Sequence, residues 1–189
     1  DMNHMPSTGQ CGFDCYTGRP GHMLYTSTTK YNHRYTAYEC QLFNFGYKKM
    51  RNITINFPLY QGVKKVELGI LPGSRILPPL PLKTKKPVIV YGTSVTQGGC
   101  AARPGMSWTN ILSRRFNIEF VNLGFSGNGK GEPEVAHIIA GIRNPLCLVI
   151  NYEGNCPEIP LFKKTFPEFI RILREEHPKV PILVISQFR

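Results

Sequence analysis

The chain has 189 residues, of which 41% are hydrophobic and 19% charged. That composition belongs to a globular protein and excludes a disordered one. The net charge is +11, but the basic residues are scattered, and the clusters at 48–51, 64–65 and 83–86 form no long stripe interleaved with aromatics. A solvated basic surface is therefore expected, with no nucleic-acid partner.

No apolar run approaches the length of a bilayer span. Residues 1–6 lack the basic-then-apolar pattern of a signal peptide. The compartment stays open from sequence, with an extracellular or periplasmic setting favoured; oligomeric state is not legible. Six cysteines are too few and too scattered for a disulfide-stapled miniprotein. Cys11 and Cys15 have no second pair at zinc-like spacing, so they read as packing or as a bridge to Cys40. Cys100 and Cys156 each follow a glycine-rich turn and belong near one sheet edge, as two thiols or as one disulfide.

Residues 1–80 read as all-β. The runs 35–42, 52–57 and 63–70 alternate with a period near two, and Gly, Pro and Asn punctuate them at hairpin-like intervals. That pattern predicts a small β-sandwich. Leu71-Pro72-Gly73-Ser74 and Leu77-Pro78-Pro79-Leu80-Pro81 are stiff and can be neither helix nor central strand, and 81–86 is the linker. From Pro87 the period changes. Apolar strand candidates at 87–91, 118–124, 146–152 and 181–186 alternate with helical stretches at about 106–116, 132–142 and 158–176. Alternation of this kind predicts right-handed crossovers and a parallel sheet with helices on both faces. Glu132-Pro133-Glu134 suits a helix amino end, and His177-Pro178 closes the last helix.

Chemistry concentrates where these strands end. The first apolar strand runs into Gly92-Thr93-Ser94-Val95-Thr96-Gln97-Gly98-Gly99, a glycine-rich turn with a hydroxyl at its tip. The next two run into Asn122-Leu123-Gly124-Phe125-Ser126-Gly127-Asn128 and Asn151-Tyr152-Glu153-Gly154-Asn155. Such turns cluster at the carboxyl edge of a parallel sheet, where α/β proteins hold their sites. Acyl transfer needs a nucleophile, a base and donors for the developing oxyanion. Ser94 supplies a nucleophile. The backbone N–H groups of Ser94 and Gly127 and the side-chain amide of Asn155 supply donors if they converge. Each feature alone is more often an ordinary turn or cap, and their order after successive strands carries the reading.

These three segments resemble the first three blocks of the SGNH (GDSL-type) hydrolases. The stretch 91–106 is similar to the branch that carries an amino-terminal β domain with a Gly-x-Asp-Leu-Tyr signature. That signature appears here as Gly12-Phe13-Asp14-Cys15-Tyr16, with Cys15 in place of leucine. The resemblance covers nearly the whole chain. It implies a flavodoxin-like SGNH fold over 87–189, Ser94 as nucleophile, and an oxyanion hole of Ser94, Gly127 and Asn155. It also implies ester hydrolysis, often on acetylated sugars or small polar acceptors, or acyl transfer on the same scaffold, with no metal or organic cofactor.

One family element is missing from the sequence. No Asp-x-x-His carries a general base, and Arg174 stands where His177 would need an aspartate. His177 lies between a helix and a strand, hence at the amino edge, a strand length from Ser94. His137 reads as a surface residue, and His4, His22 and His33 belong to the β part. Two explanations follow: a chain lacking its carboxyl-terminal part, which is the one favoured, or a glycan-binding relative that has lost the base. An apolar sheet left uncovered at its last strand supports the first.

Overall fold

The computed structural model describes residues 2–32 and 34–186; Asp1, His33 and residues 187–189 lie outside the described residues. In the amino-terminal part, β1 (Asp14–Arg19), β2 (His22–Thr28) and β3 (Ile53–Asn56) form an antiparallel sheet in the order β2-β1-β3. A short helix α1 (Ser7–Gln10) precedes them. Among the described residues this is a single sheet, without the second layer of a sandwich. The runs 35–42 and 63–70 are not strands, despite their alternation. Residues 61–83 are exposed throughout, so the 63–70 pattern finds no neighbouring strand and no apolar layer to face. In the other segment, Tyr31 and Tyr38 stack at 4.3 Å. Tyr38 donates its hydroxyl to the Cys11 carbonyl at 3.4 Å. Side chains, not a ladder, tether that stretch.

The second part is the predicted parallel sheet. It comprises β4 (Val88–Gly92), β5 (Phe120–Gly124), β6 (Cys147–Asn151) and β7 (Ile182–Val184), in the order β5-β4-β6-β7. The helices are α2 (Ser94–Gln97), α3 (Trp108–Phe116), α4 (Pro133–Ala140) and α5 (Ile159–Glu176). β4 is central and buried along its whole length. Its alternate residues face opposite layers. Ile89 and Tyr91 pack with Leu148 and Ile150 against Ile139 of α4 and Phe169 and Ile172 of α5. Val88 and Val90 pack with Val149 against Trp108 of α3. Burying an aliphatic side chain of this kind stabilises the fold by about 1.5–3 kcal/mol, and this two-sided layer holds β4 in place.

Helix boundaries follow local chemistry. The predicted helix at 106–116 begins at Trp108, because Ser107 caps it through its hydroxyl on the Asn110 amide at 3.4 Å. Pro104–Met106 forms a separate tight turn. Asn117 ends the helix in the left-handed conformation, φ 54°. Pro133 occupies the first turn of α4 with Glu134 beside it, as expected. The strand order places a topological switch point at β4, since β5 lies on one side and β6 on the other.

Candidate active site

The site is built from the loops that leave the carboxyl ends of β4, β5 and β6. After Gly92 the chain turns sharply. Thr93 caps α2 by accepting the Val95 N–H on its hydroxyl at 3.3 Å. Ser94 is the first residue of this helix and is partly exposed. Its carbonyl accepts the N–H groups of Gly98 at 3.0 Å and Gly99 at 2.7 Å. Among the described residues, neither the Ser94 hydroxyl nor its backbone N–H makes a hydrogen bond. The hydroxyl and an adjacent donor are therefore both free for a ligand.

The floor under α2 is polar and closed. Thr96 is fully buried. Asn122, at the level of Val90 on β5, donates to the Thr96 carbonyl at 2.7 Å and to the Thr109 hydroxyl at 2.9 Å. Asn151, opposite Gly92 on β6, accepts the Thr96 hydroxyl at 3.4 Å. Sequence reading gave these two asparagines no role. Their position, two residues or none before each strand's end, was the available signal. Gly124 is required by close approach: a Cβ there would lie 2.1 Å from the Gln97 backbone nitrogen.

The loop after β5 is drawn onto this turn. Phe125 donates its N–H to the Gly92 carbonyl at 2.9 Å, and Ser126 donates to the Gln97 side-chain oxygen at 2.9 Å. Gly127 is exposed with φ +70°, in the region that favours glycine. Its N–H has no partner among the described residues. Asn155 sits in the tight turn Glu153–Asn155 after β6. Its side-chain amide donates to the carbonyls of Phe125 at 2.9 Å and Gly129 at 3.1 Å. The structure thus brings all three sequence-predicted residues into one hydrogen-bonded cluster of loops. The amides of Ser94 and Gly127 are open, whereas both N–H bonds of Asn155 brace the Gly127 loop.

A second anchor was missed by the sequence. Tyr91, buried, donates its hydroxyl to Glu132 at 2.5 Å and accepts the Gly131 N–H at 2.9 Å. Glu132 also accepts the Lys130 N–H at 3.0 Å. Burial, then the bond to Glu132, pushes the Tyr91 phenol well above its ordinary range. The far end of the Gly127 loop is therefore tied to the strand that delivers Ser94.

Asp14 from the amino-terminal signature braces the other side. It is fully buried and accepts the Asn56 side-chain amide and the Gly105 N–H, each at 2.8 Å. Arg103 lies 3.5 Å away. Burial pushes the Asp14 carboxyl up, against the bonds from Asn56 and Gly105 and the charges of Arg103 and Arg114.

The imidazoles lie as the topology predicts. His177 caps α5 before β7, at the amino edge. His137 is exposed on α4, and His22 is exposed at the start of β2. His4 is exposed, and its carbonyl accepts the Cys100 thiol at 3.7 Å. All six cysteines are free, so neither a Cys11–Cys40 nor a Cys100–Cys156 bridge is formed. Among the described residues, no cluster of three or more His, Cys, Asp or Glu could hold a metal ion.

A parallel sheet with helices on both faces and a serine turn at its switch point is the arrangement of an α/β hydrolase, and the SGNH type agrees with it. Residues 85–189 match the family model of the GDSL-like lipase/acylhydrolase family, and residues 1–76 match that of the N-terminus of Esterase_SGNH_hydro-type. The chain belongs to the GDSL-like lipase/acylhydrolase family. Among solved structures it is similar to a GDSL-like lipase candidate from Bacteroides ovatus, with 30% identity and a TM-score of 0.89. That match covers 97% of this chain and 53% of the other. It is also similar in fold to the salicylyl-acyltransferase SsfX3 from a tetracycline biosynthetic pathway, with 17% identity and a TM-score of 0.57 over 91% of this chain and 48% of the other. The chain therefore spans about half the length of these solved relatives. No curated protein matches the sequence.

Proposed function

We propose that the protein is a serine esterase that cleaves a carboxylic ester, an acetyl or short acyl group on a carbohydrate or small polar acceptor, through an acyl-Ser94 intermediate. One observation carries the reading. Among the described residues the Ser94 hydroxyl, its own N–H and the Gly127 N–H have no hydrogen-bond partner, and the loops that carry them are joined through the Gln97 side chain and the Gly92 carbonyl. The reaction requires a general base, which no Asp-x-x-His in this sequence supplies; with one in place, it takes the hydroxyl proton as the oxygen attacks the ester carbonyl. The carbonyl oxygen becomes an oxyanion and accepts from the two free amides. Asn155 adds a third donor by exchanging one of its loop bonds for the oxyanion. As the tetrahedral intermediate collapses to the acyl-enzyme, the protonated base gives its proton to the leaving oxygen and the alcohol departs; the base then takes a proton from the water that attacks the acyl carbon, and returns it to Ser94 as the acid is released.

The test is turnover of short-chain aryl esters by the protein isolated from its source. Hydrolysis is expected, and Ser94→Ala should remove it. Turnover that survives Ser94→Ala would sink the reading. Retention on an immobilised glycan without any turnover would replace it with a non-catalytic binding role.

A further inference from the structure

The amino-terminal part reaches the serine turn through a short segment that follows β3. Leu59 donates its N–H to the Gly9 carbonyl at 3.2 Å, which fixes that segment to α1. The Leu59 carbonyl accepts the Gln97 side-chain N–H at 3.1 Å. The next residue, Tyr60, donates its hydroxyl to the carbonyl of Ser94 itself at 3.4 Å. A Cβ on Gly98 would lie 2.8 Å from the Leu59 side chain, so no gap separates the two parts here.

Gln97 uses both ends of its amide. The nitrogen donates to Leu59, and the oxygen accepts the N–H of Ser126, the residue before Gly127. This orientation is dictated by its partners. A flipped amide would set N–H against N–H and oxygen against oxygen. One side chain on the serine helix therefore joins the segment after β3 to the loop that bears the Gly127 donor.

We propose that Gln97 is a positioning residue, which sets the Gly127 amide relative to Ser94, and that the amino-terminal part acts on the chemistry through it. The Ser126 N–H belongs to the peptide unit just before the one that carries the Gly127 N–H, and only the φ and ψ of Ser126 lie between them, so fixing the first limits where the second can point. Without the Leu59 bond, the Gln97 side chain regains rotamers that do not reach Ser126. This proposal rests on the hydrolase reading for its effect on rate, but not for its effect on the loop.

The experiment compares Gln97→Leu, Gln97→Glu and Tyr60→Phe with the parent protein. It reads amide exchange of Ser126 by NMR alongside ester turnover. Gln97→Leu removes the acceptor, so Ser126 exchange should rise about five- to tenfold, the scale of one lost hydrogen bond. With the donor misplaced but still present, kcat should fall about tenfold, short of the roughly 100- to 1000-fold cost of deleting such a donor. KM should change by less than about twofold, because the interaction is made in the transition state. Gln97→Glu keeps the acceptor for Ser126 and loses the donor to Leu59. It should restore Ser126 protection only in part, because the side chain no longer has its Leu59 anchor, and recover only part of kcat. Tyr60→Phe, which leaves Gln97 intact, should leave Ser126 exchange unchanged.

Unchanged Ser126 exchange and kcat in Gln97→Leu would overturn the proposal. Full recovery of kcat in Gln97→Glu would overturn the role of the amino-terminal part. If turnover proves independent of Ser94, the hydrolase reading fails, and Ser126 exchange alone decides whether Gln97 holds the loop.

Discussion

Replacing Asp14 with alanine should cost more stability than any surface change in this chain. The carboxylate is fully buried, and it accepts one N–H from Asn56 and one from Gly105. Removing it leaves both donors unpaired in a closed interface, at about 1–3 kcal/mol each. It also leaves Arg103 and Arg114, two half-buried cations stacked on Tyr25 and Tyr16, without their neighbouring anion. Breaking a buried pair by deleting one partner costs about 3–5 kcal/mol in total. For a domain of this size that corresponds to a fall in Tm of about 10 °C. Asp14→Asn should cost nearly as much. The new amide can accept from only one donor and turns an N–H towards the other. Thermal and urea unfolding of both variants would measure this, with Glu168→Gln as the control. Glu168 pairs with Arg171 on the exposed face of α5, where such pairs contribute little, and its loss should leave Tm unchanged. A loss below about 1 kcal/mol in Asp14→Ala would refute the reasoning, since it would mean that the donors find water and the interface is not closed.

Tyr91→Phe removes the hydroxyl that joins Glu132 to the Gly131 N–H. It should lower stability by about 1–3 kcal/mol in urea unfolding and loosen the Gly127 loop, seen as faster amide exchange at Gly131. Burial, then the Asp14 charge, raises the Cys15 thiol from 9.0 to about 11. At pH 8 it stays protonated and shielded, so a thiol reagent should modify exposed Cys100 first and Cys15 last. The folded value lies above the unfolded one, so this proton's contribution to stability is complete below pH 9.0 and is lost as pH rises towards about 11. The unfolding free energy should therefore fall less steeply from pH 8 to 11 in Cys15→Ala than in the parent.

The parallel half of the fold was legible because its signals are local. Each strand of that sheet is a short apolar run, and each helix has a proline, serine or asparagine at its ends. The expected spans differ from those observed by one or two residues at most ends. The amino-terminal half was less legible because its pairing is not local. β1 pairs with β3 across residues 20–52, and nothing in the alternation of 63–70 shows that it lacks a partner. Ser94, Gly127 and Asn155 could be placed at one edge from strand order alone. What each amide bonds to could not. That Asn155 spends both N–H bonds on Phe125 and Gly129, or that Gln97 faces two ways, depends on where three loops meet. Tyr91 and Glu132 are 41 residues apart and read separately as a core aromatic and a helix-start acid.

Covalent modification of Ser94 tests the central claim most directly. The protein isolated from its source would be treated with a fluorophosphonate ester, digested, and the adduct located by peptide mass. The account predicts one adduct, on Ser94, whose formation is slowed by a short acetyl ester and lost in Ser94→Ala. No adduct, or an adduct on another serine at equal rate, would contradict it.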